Sequence, residues 1–195
     1  MKQLHLLIIL AAAASFISGI GLAMFMSSSY TSNEPPNYVA VANQVDNNTF
    51  ISQDNGTAFA AVNPNTNRIY LANEFSKTVA VVDGSSNAKI ASIQLDSLPL
   101  KLAVNPDTNR IYVTEHRVVD NMEQNGTVTV IDGSSNAKIA SIPVGVNPSG
   151  IAVNPDTNRI YVTNYIDGTV SVIDGDSNTV IGKPIQLDFG VEGIV

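Results

Sequence analysis

"AVNPDTNRIYVT" runs from Ala103 to Thr114, and the same twelve letters return from Ala152 to Thr163. A close copy, "AVNPNTNRIYLA", occupies Ala61–Ala72. From Ala61 to Ala103 is 42 residues, and from Ala103 to Ala152 is 49. A second phrase, "DGSSNAKIASI", occurs at Asp83–Ile93 and again at Asp132–Ile142, with "DGDSNTVIGKPI" in the third unit. The middle unit owes its greater length to one place. There "TEHRVVDNMEQNGTV" (Thr114–Val128) stands where the last unit has "TNYIDGTV" (Thr163–Val170), an insertion of seven residues. A period near 42 is the mark of a solenoid, a propeller or another repeat array.

One unit, Gly150 to Leu187, carries four strand signals. "GIAV" is short and apolar. "NPDTN" is a turn phrase, because proline fixes φ while Asp and Asn tolerate tight backbone. "RIYVTN" is the second strand and "DGT" the next turn. "TVSVI" alternates with period two, Val170 and Val172 on one face and Ser171 on the other. "DGDSN" turns the chain again, into a fourth strand over "TVIGKPIQL". Hairpins of this length make an antiparallel meander, and no segment offers an apolar face at helical spacing. A meander with apolar side chains on both faces needs a neighbour on each side. Radial packing of four-stranded blades supplies it. The expected fold is therefore all-β, a β-propeller of four-stranded antiparallel blades of about 42 residues, preceded by an N-terminal apolar helix. Solenoid rungs are usually shorter than this repeat.

Composition agrees. Charged residues are 14% of 195 and hydrophobic ones 44%, with Val, Ile, Thr, Asn and Gly plentiful and Trp absent. That favours strands and tight turns. The net charge of −7 argues against a phosphate-binding surface and so against nucleic acid as partner. Without cysteine there is no disulfide framework, thiolate metal site or covalent haem attachment.

The first 29 residues have an export character. Lys2 and His5 lead into an uncharged run from Leu6 to Met26. It exceeds the ~7–15 apolar residues of a cleavable signal and reaches the roughly 20 of a spanning helix. Small residues at Gly21-Leu22-Ala23 and Ser27-Ser28-Ser29 offer cleavage sites, so an anchor and a removed signal both stand. Either puts the remainder outside the cytoplasm, secreted or at the cell surface. Residues 30–36, ending in Pro35-Pro36, are an extended linker. The repeat region covers 37–195, divided into a half blade at 37–58, blades at 59–100, 101–149 and 150–192, and the start of another at 193–195.

"RIYVTN" at Arg159–Asn164, "RIYVT" at Arg110–Thr114 and "GTVSVID" at Gly168–Asp174 resemble the YVTN family of β-propeller repeats. The resemblance spans roughly residues 37–195. It implies a surface-layer or other extracytoplasmic protein of bacterial or archaeal type, and no particular activity. The array counts just under four blades. Either the chain is a piece of a longer propeller, or "NYVAVAN" (Asn37–Asn43) and "EGIV" (Glu192–Val195) share one blade that closes a small ring.

Near identity of the units weighs against catalysis, which needs different residues converging on one point. Asp107 and Asp156 with Arg110 and Arg159, the Asp-Gly pairs at Asp83, Asp132 and Asp174, and the in-phase Tyr70, Tyr112 and Tyr161 are expected to serve turns, strand edges and blade packing, each tyrosine hydroxyl reaching a partner. The insertion alone breaks the symmetry. It places Glu115, His116, Arg117, Asp120 and Glu123 on a loop joining the second and third strands, the candidate binding site. One histidine among scattered carboxylates has no metal-ligand spacing. Asn47, Asn55 and Asn125 head N-x-Ser/Thr sequons, possible glycan sites in an exported protein. No phosphate loop, nucleophile elbow or zinc motif occurs. The expected role is non-catalytic: structural, adhesive or ligand-binding, without cofactor. Expected partners are other proteins or surface glycans, self-association through open propeller ends, and the membrane through the N-terminal segment. The alternative is part of a propeller enzyme, a quinone- or haem-linked oxidoreductase or a lactonase-like hydrolase.

Overall fold

The structure, a computed structural model, describes residues 57–187 and Ile194. The leader, the linker and the half blade before Thr57 lie outside the described residues, as do Asn47 and Asn55.

Among the described residues thirteen strands form three sheets, each a meander of sequence neighbours. The first holds β1 (Thr57–Asn63), β2 (Arg68–Asn73), β3 (Thr78–Asp83) and β4 (Lys89–Gln94). The second holds β5 (Leu98–Asn105), β6 (Arg110–Val119), β7 (Met122–Asp132) and β8 (Ala137–Val146). The third holds β9 (Pro148–Asn154), β10 (Arg159–Asn164) and β11 (Thr169–Asp174), with the short β12 (Thr179–Val180) and β13 (Ile185–Gln186) both paired to β11. All pairings are antiparallel.

The fourth strand expected over "TVIGKPIQL" is broken in two. Gly182 sits at φ 64 and Pro184 has no N–H to give a ladder, so pairing lapses between Val180 and Ile185.

The turn phrases work through asparagine. Asn67, Asn109 and Asn158 lie at φ 51, 52 and 47, and Asn87, Asn136 and Asn178 at φ 57, 57 and 54. Asparagine enters this left-handed region more readily than other residues with a side chain. Asp83, Asp132 and Asp174 cap their turns: Asp132 Oδ1 accepts the N–H of Ser134 at 3.1 Å and of Ser135 at 2.8 Å. The glycine after each has a different task. A Cβ on Gly133 would stand 2.3 Å from Asn109 Oδ1, because the two adjacent turns touch there.

Sheets stack face to face. Tyr70, Ala72, Val79 and Val81 of the first pack against Leu102, Ile111, Val113 and Ile131 of the second. Tyr112, Val128 and Val130 of the second pack against Ile151, Ile160, Val162 and Ile173 of the third. Alternation along each strand sends one set of side chains to each neighbour. On the far side of the first sheet Ile69, Leu71, Ala80 and Val82 make a third buried cluster.

Tyr70 and Tyr112 are fully enclosed between sheets, but among the described residues their hydroxyls find no hydrogen-bond partner. Burial pushes both phenols above their ordinary pKa, and the nearby guanidinium of Arg68 or Arg110 offsets part of that rise.

Candidate functional site

The insertion is no loose loop. It lengthens β6 and β7 into a hairpin in which Arg117 pairs with Gln124, Val118 with Glu123 and Val119 with Met122. Asp120 and Asn121, at φ 52 and 60, make a two-residue turn in which both central residues are left-handed. That turn suits the twist of paired strands, and Asp and Asn are among the residues that accept it. Asp120 is thus the bend itself, exposed at the tip.

The five candidate residues separate into distinct settings. Glu115 is 1% exposed. Its Oε2 accepts the backbone N–H of Asp96 at 3.1 Å and of Ser97 at 2.7 Å, and Thr129 Oγ1 donates to its Oε1. Three donors hold a carboxylate inside the seam between the first two sheets, where an unpaired charge would be costly. His116 Nε2 pairs with the Glu123 carboxylate. No group of three or more His, Cys, Asp or Glu able to hold a metal occurs among the described residues. Asn125 is exposed on β7.

Arg117 stands over a cavity of about 380 Å³ lined also by Asp96, Ser97, Thr127 and Ser141. Asp96 in turn takes Lys138 Nζ on both carboxylate oxygens at 3.0 Å. Arg117 offers a planar donor fork suited to carboxylate or phosphate, and the hydroxyls around it offer both donors and acceptors. The site can hold a small polar group. It has no nucleophile and base in hydrogen-bond contact.

A second feature escaped the reading of the sequence. All three turns between second and third strands carry exposed large apolar residues at the same end of the stack. Phe75 is 69% exposed in the first unit, Met122 63% in the second and Ile166 51% in the third, with Val118, Val119 and Tyr165 beside them. The signal was present in "EFSK", "VVDNM" and "YID", but single apolar residues in turns are common on surfaces. Only the sheet topology places these three turns at one end of the blades.

No family model matches the chain, and no curated protein matches it. Solved structures do. Hydrazine synthase of Kuenenia stuttgartiensis superposes with a TM-score of 0.62 at 23% identity, over 77% of this chain and 42% of that one. A functionally unknown protein of Desulfotomaculum acetoxidans gives 0.61 at 18% identity, over 85% and 50%. The WD40 repeats of RRP9 give 0.60 at 16%, over 72% and 42%. The chain thus spans half or less of the length of these structures. At such identities the likeness concerns fold alone, and with the three antiparallel meander sheets it establishes a β-propeller architecture.

Proposed function

We propose that this chain is an extracytoplasmic β-propeller segment of YVTN type that binds a partner through the end of the blades carrying the turns between second and third strands, and that it is not an enzyme. The observation that supports this most is that Phe75, Val118, Met122 and Ile166 are exposed at the corresponding end of three successive units. Large apolar side chains left exposed at one end of successive units suit an interaction surface. Arg117, on the same hairpin, lines the hydroxyl-bearing cavity and supplies polar specificity, while the residues that recur in every unit serve turns and seams. Export follows from the uncharged N-terminal run and the proline-containing linker. The expected partners are a surface protein or a surface glycan, with the N-terminal segment in or across the membrane.

Protease treatment of intact cells tests location: residues 57–187 should be cut with the membrane intact, and full protection would refute export. Proximity labelling from the full-length chain on cells tests binding. Replacing Phe75, Met122 and Ile166 together with serine should remove the labelled neighbours while the thermal unfolding curve stays unchanged. An unaltered set of neighbours would show that this end is not the contact surface.

A further inference from the structure

Two units reach forward to the next one, and among the described residues the third does not. Arg68 Nη1 donates to the carbonyl of Gly133, and Arg110 Nη1 to that of Gly175. Asn63 Nδ2 donates to Asn109 Oδ1 at 2.8 Å, and Asn105 Nδ2 to Asn158 Oδ1 at 2.9 Å. Under these clasps lie Tyr70 and Tyr112, both at 0% exposure. The same three residues in the third unit are arranged otherwise. Arg159 turns back to the carboxylate of Asp174 in its own unit. Asn154 is exposed, and among the described residues its Oδ1 accepts only the N–H of its own turn residue Thr157, at 3.2 Å. Tyr161 is partly exposed, and so is Val172 opposite it on β11, whereas Val81 and Val130 at the same register are fully buried.

We propose that the face of the third sheet bearing Ala152, Tyr161 and Val172 is an unmade blade-to-blade interface, and that its occupant is a further four-stranded unit of this same repeat. The inference is separate from the binding end described above. It continues an interface that the chain has already built twice from the same residues. The occupant's chemistry follows from those two copies. It must present an aliphatic face like that of Leu102, Ile111, Val113 and Ile131. It must also carry an asparagine amide oxygen placed as in Asn109 and a glycine carbonyl placed as in Gly133. Arg159 would then leave Asp174 for that carbonyl, and Asn154 Nδ2 would find its acceptor.

The test extends the full chain after Val195 with a copy of its own residues Val104–Val146, since "EGIV" at Glu192–Val195 aligns with the first strand of a unit. Nitration of individual tyrosines by tetranitromethane, located by mass spectrometry, reads the interface. In the unextended chain Tyr161 should react at least about tenfold faster than Tyr112, as expected where a side chain needs no opening of the structure to meet solvent. In the extended chain Tyr161 should slow to the rate of Tyr112, and Arg159→Ala or Asn154→Ala should restore part of its reactivity. A second extension, copying Val153–Leu187, guards against one unit failing to fold and should protect Tyr161 equally. Undiminished reactivity of Tyr161 in both extended chains would overturn the proposal. So would a Tyr161 that is unreactive from the start. So would dimers of the unextended chain, seen by light scattering, that protect Tyr161 and are abolished by Tyr161→Arg, because the occupant would then be a second copy's third sheet.

Discussion

Glu115 Oε2 accepts the backbone N–H of Ser97 at 2.7 Å, and in the next unit two residues share the corresponding task. There Asn164 Oδ1 accepts the N–H of Gly145 at 3.0 Å and Asp167 Oδ2 that of Val146 at 2.7 Å. The hairpin extension takes the chain of the middle unit away from the position of Asp167. A longer carboxylate at the place of Asn164 compensates by taking both linker amides, Asp96 and Ser97, on one oxygen.

Glu115→Ala should therefore destabilise the protein by about 2–4 kcal/mol, since it strips three donors of their acceptor inside a seam. Shortening the hairpin by removing Val118–Glu123 should cost less than about 1 kcal/mol, because the removed residues are exposed. Denaturant unfolding of both variants separates the two. Equal losses would mean that the hairpin, not the carboxylate, supports the seam.

Arg110→Ala and Arg159→Ala should differ although the two arginines sit in identical phrases. Arg110 crosses to the turn residue Gly175 of the next unit, and losing a charged donor to a buried-seam carbonyl costs about 1.5–3 kcal/mol. Arg159 makes a half-exposed pair with Asp174, a kind of contact worth about 0–1 kcal/mol. Thermal unfolding of the two variants under one condition checks the order.

Tyr112→Phe should leave stability unchanged or raise it by up to about 1 kcal/mol, since it removes a buried hydroxyl with no hydrogen-bond partner among the described residues. Tyr112→Ala should cost about 3–5 kcal/mol, as expected for emptying an aromatic site between sheets. A marked loss on Tyr112→Phe, measured by chemical denaturation, would reveal a hydrogen bond to that hydroxyl.

Acid should weaken the three Asp-Gly turns together. The N–H of Ser177 and the Arg159 guanidinium hold the Asp174 carboxyl down at about 2, and the N–H and hydroxyl of Ser86 and Ser135 lower Asp83 and Asp132. A carboxylate whose pKa is depressed in the folded state contributes stability above its unfolded value near 3.8. That stability is lost as pH falls through the folded value. The midpoint of thermal unfolding should drop between about pH 4 and pH 2. The triple variant Asp83→Asn, Asp132→Asn, Asp174→Asn, which keeps the capping oxygen without the charge, should flatten that part of the curve.

The strands and the turns between them were legible in the sequence, except that the fourth strand of the third unit is broken in two. These are local matters: period-two alternation marks a strand, and Asn-Pro, Asp-Gly and Asn mark backbone that must bend. Repetition then implied stacking, because three meanders with apolar residues on both faces have to cover one another. What each polar side chain does was decided by tertiary structure. Glu115 looked like a surface ligand beside His116, yet it is enclosed, because a seam between sheets brings Asp96 and Ser97 to it from outside its own unit. The insertion looked like a loop, yet it continues two strands, because pairing propagates outward once the base of a hairpin is in register. Arg110 and Arg159 sit in identical twelve-residue phrases and make different bonds. No local rule can separate them, since the difference lies in whether a neighbouring sheet is there to receive the guanidinium.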